Sequence, residues 1–417
     1  VDEHVTYLAV PAFQAAVHRD LHSRYPLDRQ GHSSKTSVRR LSSYENQSRS
    51  DEPDMANRAG LQGAELMFLP VDNSKTKSEL PPGCTFAESD WHILSSFWHP
   101  VEYAHEVGEK PVRARLLDVD LVLYRTSQGV AVARDICPHR GTRISSGWMA
   151  DGQIVCPMHG LHFDHGGQCT KIPSMTDPTA KIPPRLRLLT VLSEERYGII
   201  WVCLKGEPIW PIPQWPGLSN ADWKTVYLPK DTWNAAASRH VENFNDVAHF
   251  PWVHAESFGS ATAVPIPQYT VDHAEFGLRF SYPYPNGANY YPDGVEGTER
   301  NVVYSYELTY PFSTIIIIDP EGSDYVQYLA DTVCPVSARE TRIFQLLTDT
   351  TGNPDGEYWK KFQMLINDED KSMVEEQRPE DLPLDLTEEI HVPCDRLSLE
   401  YRRALAKKFG LGAPIAS

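Results

Sequence analysis

Two short Cys/His loops constrain this chain more than anything else in it. They are Cys137-Pro138-His139 and Cys156-Pro157-Met158-His159, with sixteen residues between His139 and Cys156. Each pairs one soft thiolate with one imidazole, so together they form a four-ligand Cys₂His₂ metal set. By composition that set suits zinc, which takes such ligands tetrahedrally. The spacing argues otherwise. Both loops contain proline and run on into glycine, at Gly141 and Gly160. Two such loops can grip opposite edges of a two-iron cluster in which two histidines replace two cysteines on one iron, an exchange that raises the reduction potential. Zinc and cluster both stand at this point. Either one requires rigid loop tips held near the surface.

Length and charge narrow the field. At 417 residues the chain holds two or three domains, each able to bury a core. Its net charge of −17 disfavours nucleic acid, because nothing supplies a basic stripe to neutralise phosphates. The same charge disfavours adhesion to anionic membranes. No apolar run approaches the ~20 residues that span a bilayer. The longest aliphatic block, Ile315 to Ile318, reads as a buried strand. Seven cysteines, an odd number, give no disulfide framework. Two lie in the paired loops. The other five (Cys84, Cys169, Cys203, Cys334, Cys394) are scattered, which fits a reducing cytoplasm.

The chain divides into three stretches. Residues 1–88 read as an extension, poorly ordered or contacting a partner: Arg29 to Ser50 is rich in Ser, Arg and Gln with few apolar anchors. Within that segment Glu45 is the lone acid, so an organelle transit peptide, with a stroma or matrix location, is the alternative to the cytoplasm. From Trp91 to Cys203 the pattern turns to short β runs: Val112 to Leu117, Leu121 to Tyr124, Val130 to Ala133, Gln153 to Val155 and Gly198 to Val202. The metal loops therefore sit in a small antiparallel β domain, residues 89–207. Four prolines between Pro208 and Pro216 form a stiff connector. A larger α+β domain, residues 208–417, follows, with strands near Val226, Leu278, Val302 to Tyr310 and Thr341 to Thr348. Helices are expected over Gly356 to Gln377 and Cys394 to Phe409.

A second constellation lies in Glu242-Asn243-Phe244-Asn245-Asp246-Val247-Ala248-His249-Phe250-Pro251-Trp252-Val253-His254. Asp246 and His249, three apart, share a helix face. Pro251 is expected to end that helix, so that the chain turns His254 back toward His249. Two histidines and one carboxylate make the facial triad of mononuclear non-heme iron(II), which leaves positions open for O₂. The carboxylate must come from elsewhere, and Asp368, Glu369 and Asp370 are the candidates. Asp246 reads as an acceptor that orients a histidine ring. Two ordinary buried histidines are the competing reading. An electron-transfer cluster in the same chain weighs against it.

Both constellations, in this order, resemble the oxygenase component (α subunit) of Rieske non-heme iron oxygenases over roughly residues 91–417. The trailing His159-Gly160-Leu161-His162-Phe163-Asp164 and the motif Asn243-x-x-Asp246-x-x-His249-x₄-His254 carry the likeness further. The resemblance implies that Cys137 and Cys156 bind one iron of a [2Fe-2S] cluster and His139 and His159 the other. It implies His249, His254 and Asp370 as ligands of the mononuclear iron, Asp370 being favoured by the spacing of Glu369-Asp370 before Glu375. It makes Asp246 the bridge to a Rieske histidine of a neighbouring subunit in a head-to-tail homotrimer, with Asn243 beside the iron. Thr142 and Leu161 stand where respiratory-chain Rieske proteins carry a further cysteine pair. Phe97-Trp98-His99-Pro100-Val101 is similar to the branch that holds vanillate O-demethylase and caffeine-type N-demethylases.

The expected activity is O₂-dependent oxidation of a small aromatic or heterocyclic compound by demethylation or hydroxylation. Ring cis-dihydroxylation is the alternative. A non-catalytic electron carrier and a zinc-binding protein are more distant. No Gly-rich dinucleotide fingerprint follows any strand, so NAD(P)H and flavin belong to a separate reductase, with or without a ferredoxin. Phe258, Tyr290, Tyr291, Tyr304 and Ile315 to Ile318 are candidate pocket residues.

Overall fold

Three two-residue turns set the register of the first half. The computed structural model describes residues 80–177, 179–286 and 300–412, so most of the stretch read as an extension lies outside the described residues. Helix α1 (Glu88–Leu94) precedes β1 (His99–Tyr103), β2 (Val112–Leu116), β3 (Val119–Thr126) and β4 (Gly129–Arg134), of which the last three form one sheet. A second sheet holds β5 (Trp148–Ala150), β6 (Gln153–Val155), β7 (His162–Phe163) and β8 (Cys169–Lys171). In the third sheet β10 (Ile199–Cys203) lies between β1 and β9 (Leu192–Arg196). The turns Leu117-Asp118, Asp151-Gly152 and Tyr197-Gly198 all have positive φ at both residues, the hairpin geometry that matches strand twist.

A leucine at φ 49° is the unusual member. The left-handed region costs a residue with a Cβ about 1–2 kcal/mol. Tertiary contacts offset this at Leu117, whose side chain is wholly buried. Its N–H donates to Pro335 O at 2.8 Å, the Asp118 N–H donates to Val336 O at 2.9 Å, and Trp91 Nε1 donates to Leu117 O at 2.9 Å. The tip of the β2–β3 hairpin is thereby fastened to the strand Gln327–Ser337 of the large sheet described below. Strand β3 serves two cores because its side chains alternate. Leu121 and Leu123 join the main core, while Val122 and Tyr124 join a smaller one with Ile154, Phe163, Leu188, Cys137 and Cys156.

In the connector Ile212 and Trp215 are buried. Beyond it come β11 (Val226–Tyr227), β12 (Asp231–Trp233), α2 (Ala237–Phe244), α3 (Phe250–Val253), β13 (Asp272–His273) and β14 (Gly277–Asn286). The chain continues through β15 (Arg300–Thr309), β16 (Ser313–Pro320), β17 (Gln327–Ser337), β18 (Glu340–Asp349), α4 (Gly356–Val374) and α5 (Arg396–Arg403). These strands make an antiparallel sheet in the order β11-β18-β17-β16-β15-β14-β13, with β12 also on β18. The fold class is therefore α+β: a small antiparallel β portion and then a larger portion around a central antiparallel sheet. All described residues belong to one compact unit. None of its helices is long and apolar enough to cross a membrane.

Helix α4 starts where the Asp355 carboxylate accepts from Glu357 N and Tyr358 N, both at 3.1 Å. Its buried stripe is Trp359, Phe362, Gln363, Asn367, Asp370 and Val374. Polar residues in such a stripe mark the side that faces the site. Helix α5 begins at Arg396, two residues later than expected, and runs into a wider turn, Ala404–Phe409, closed by Gly410 at φ 79°.

Candidate metal centres

The paired loops are built alike. Cys137 N donates to Thr142 O and Gly141 N to Cys137 O; in the second loop Cys156 N donates to Leu161 O and Gly160 N to Cys156 O, all four bonds between 2.8 and 3.0 Å. Gly141 and Gly160 take φ of 74° and 66°, which lets each loop close. The cysteines lie inside, 1% and 0% exposed, and the histidines outside, their rings 4.6 Å apart. Burial, with Cys156 alongside, pushes the Cys137 thiol up to about 12. Thiols so buried ionise when a metal supplies the positive charge. Among the described residues, a trio of ligand atoms all within 4.8 Å of one another is found at His249, His254 and Asp370. The loops instead set sulfur beside sulfur and ring beside ring, an arrangement that fits a two-iron group better than a single zinc ion.

The second centre begins where α2 stops. Asn245 Nδ2 donates to Val241 O at 2.8 Å and to Thr314 Oγ1 at 3.0 Å, which ties off the helix. The Asp246 carboxylate then accepts from Ala248 N (3.1 Å) and His249 N (3.2 Å) and starts a new turn. Here the expectation of one helix ended by Pro251 is wrong. Pro251 lies in the first turn of α3, where its fixed φ and missing N–H suit a helix start. His249 and His254 flank this single turn. Behind His254 the chain folds back at Gly259, where a Cβ would stand 2.3 Å from Phe250 O.

Three atoms converge. His249 Nε2 and His254 Nε2 are 3.2 Å apart, and Asp370 Oδ1 lies 3.4 Å from the first and 3.2 Å from the second. Cis ligands on an octahedral ion with bonds of about 2.1–2.3 Å stand about 3.0–3.3 Å apart, so the triangle has the size of one facial set. The far sides of the rings fix its polarity. His249 Nδ1 is 2.9 Å from Asp246 Oδ2, and His254 Nδ1 is 2.8 Å from Glu369 Oε2. Each Nδ1–H donates to its carboxylate, so each Nε2 presents a lone pair. Asp370 Oδ1 is buried and has no donor of its own. Three lone pairs meeting at one point repel one another unless a cation sits among them. The donor set thus fits a metal ion.

Glu369 and Asp368, the other acids weighed as ligands, sit elsewhere. Glu369 is turned to His254 Nδ1 and also accepts from Ser257 Oγ at 2.8 Å, while Asp368 is exposed. Ser257 escaped sequence reasoning, since nothing in the chain marks a serine as the support of a carboxylate more than a hundred residues away.

The trio opens into a narrow cavity of ≈ 60 Å³. Phe250, Phe258, Tyr304, Tyr306, Trp359 and Phe362 give it flat apolar walls, with Gln327 and Gln363 as polar members. Of the isoleucine block, Ile316 and Ile318 reach the cavity. Ile315 and Ile317 point to the other face, as strand alternation demands. Tyr290 and Tyr291 lie outside the described residues. Asn243 lines both this cavity and a surface depression that contains Asp246, Arg239, Glu242, Cys394 and Arg402. Ile390, 95% exposed, and Val392 belong to the same depression.

Comparison with known proteins agrees with this geometry. Residues 97–188 match the Rieske [2Fe-2S] domain, and residues 233–409 match the vanillate O-demethylase oxygenase C-terminal domain. The methylxanthine N1-demethylase NdmA of Pseudomonas putida is 28% identical over 319 residues, 75% of this chain and 88% of that protein. The oxygenase component of dicamba O-demethylase from Stenotrophomonas maltophilia is 38% identical over 111 residues, 26% of this chain and 32% of its own. The solved structure of NdmA from P. putida CBB5 with caffeine has a TM-score of 0.69 at 27% identity, covering 76% of this chain and 92% of that one.

Proposed function

This chain belongs to the oxygenase components of Rieske non-heme iron systems, and from that premise we propose that it removes an O- or N-methyl group from a small aromatic or heterocyclic substrate. Enzymes of this kind use a [2Fe-2S] cluster, a mononuclear iron, O₂ and electrons from a separate reductase. The observation that carries the proposal is the facial set of His249, His254 and Asp370 at the end of an aromatic-walled cavity.

In this reading Cys137, His139, Cys156 and His159 hold the cluster, supported by buried sulfurs beneath exposed rings. His249, His254 and Asp370 hold the iron. Bound there, iron supplies redox chemistry toward O₂ at the positions these three ligands leave open. The chain does the rest. Asp246 and Glu369 keep the Nδ1 protons in place, so the Nε2 atoms face the cavity. Phe250, Phe258 and Tyr304 stack against a flat ring and exclude water. Asn243 walls the cavity off from the depression that holds Asp246. Hydroxylating a methyl carbon replaces C–H by C–OH, while the second oxygen atom leaves as water after two electrons and two protons arrive. The resulting hemiacetal or hemiaminal loses formaldehyde.

Asp246 is proposed as the bridge to a cluster histidine of a neighbouring subunit in a homotrimer. Its side chain is 29% exposed, and it lies in an open depression whose apolar members, Ile390 and Val392, are suited to burial by another chain. His139, His159, Met158 and Trp148 are exposed on the cluster portion and form the complementary tip. Residues 89–207 are taken as the cluster domain and residues 208–417 as the catalytic one. Nicotinamide and flavin are assigned to the partner reductase, and the cytoplasm to the whole system.

The test is product analysis with methylated aromatics, O₂ and a surrogate reductase. Formaldehyde in step with the demethylated product is expected. A cis-diol product, or NADH oxidation by the purified chain alone, would overturn the proposal.

A further inference from the structure

Glu369 stands one residue before Asp370 on α4, yet it meets the metal centre from behind. Its Oε2 accepts from His254 Nδ1 and from Ser257 Oγ, both at 2.8 Å. Its side chain is 10% exposed, His254 is 1% and Ser257 2% exposed, and Glu369 Oε1 is buried without a partner. An acid so enclosed costs stability unless positive charge is close by. A glutamine or leucine would fill the same space more cheaply. The charge therefore answers to something other than packing.

We propose that Glu369 is the positioning residue of the mononuclear site: by holding the Nδ1 proton of His254, it commits Nε2 to the metal and strengthens it as a donor. The proposal rests on the reading of His249, His254 and Asp370 as ligands. Geometry separates the two ring–carboxylate couples. Asp246 is partly exposed, shared with two backbone N–H groups and placed at the surface depression. Glu369 is sealed, and its other hydrogen-bonding group is a buried serine. A carboxylate away from water polarises the ring it holds more strongly than one beside water. His254 is the firm metal anchor, and His249 is the ring that communicates with the outside. Ser257, whose Oγ lies 2.8 Å from Glu369 Oε2 and gives it its one hydroxyl hydrogen, keeps Glu369 aimed at the ring.

The experiment uses Co(II) as probe in the full-length protein, its cluster intact and its mononuclear metal removed by chelation. Cobalt affinity and the visible ligand-field bands are read for the wild type, Glu369→Gln, Glu369→Leu and Ser257→Ala. Cluster absorbance serves as the folding control. Glu369→Gln is expected to bind Co(II) about ten- to hundredfold more weakly with shifted bands. Glu369→Leu should be weaker still, and Ser257→Ala should move the same way by less, at unchanged cluster absorbance. Wild-type affinity and bands in Glu369→Gln would overturn the proposal, as would a lowered melting temperature with affinity unchanged. Should Glu369→Gln lose its cluster, Ser257→Ala decides by the same criteria. A wild type that takes up no cobalt would sink the ligand assignment, and this inference with it.

Discussion

Stripping the mononuclear metal should make the protein lose stability as the pH rises from 6.5 to 9. Burial alone would lower the His249 pKa, but Asp246 and Asp370 more than offset it and raise it from 6.5 to about 9. His254 is raised likewise, burial being outweighed by Asp370 and Glu369. Asp370, although burial works against it, is held well below the usual carboxylate range by the two imidazoles. A group whose folded pKa is raised contributes stability that is fully present below its unfolded pKa and disappears as the pH passes its folded one. For His249 that window runs from 6.5 to about 9, and its depth at 1.36 kcal/mol per unit is about 3 kcal/mol. A metal ion takes over the proton's role, so apparent metal affinity should improve about tenfold per pH unit across the same window. The assay is urea unfolding of chelator-treated protein between pH 6 and 9.5, with and without anaerobic Fe(II), the cluster being followed by its absorbance. Asp370→Asn removes a cause of both raised values and should flatten the profile. Apo stability that stays level or rises across the window, or a metal-induced gain independent of pH, would refute the reasoning.

Two further substitutions separate the parts of the machine. Asp246→Ala should leave iron and cluster contents at wild-type levels, measured by metal analysis and EPR, yet abolish coupled turnover; retained turnover would remove the bridging role. Gly147→Ala would put a Cβ 1.9 Å from Val155 O, on the residue preceding Cys156. Because that neighbour is backbone, the β5–β6 hairpin must shift, and we expect cluster absorbance per protein to fall severalfold while far-UV circular dichroism changes little.

Motifs with fixed spacing were legible because their chemistry is local. Cys137, His139, Cys156 and His159 fall within 23 positions, and turn residues such as Asp151-Gly152 announce the hairpins that carry them. His249 and His254 were legible for the same reason. The element between them was not: Pro251 can end a helix or begin one, and its neighbours in sequence do not decide which. In the structure Asn245 ends α2 by bonding Thr314 on β16, a contact across 69 positions. Asp370 could be chosen by resemblance, but not from helix periodicity alone. Glu369 and Asp370, adjacent on α4, address opposite ends of one imidazole, because His254 reaches between them from another element. The isoleucine block taught a similar lesson. Alternation limits the cavity to two of the four, and the fold alone selects Ile316 and Ile318.

The hairpin tip at Leu117 and Asp118 has a mechanical meaning. It locks onto Pro335 and Val336 at the end of β17, under the Trp91 indole. Nearby, Tyr103 on β1 donates to Leu228 O at 2.9 Å and accepts from Gln345 N at 3.2 Å. Swinging the portion that carries the paired loops on a hinge would break this seam and split a hydrophobic core that runs across it. Strand β3, whose other face supports the paired loops, is thus held against β17 by backbone hydrogen bonds at its hairpin tip and by a shared core. The separation of the two sites within one molecule is then set by packing and not by a linker.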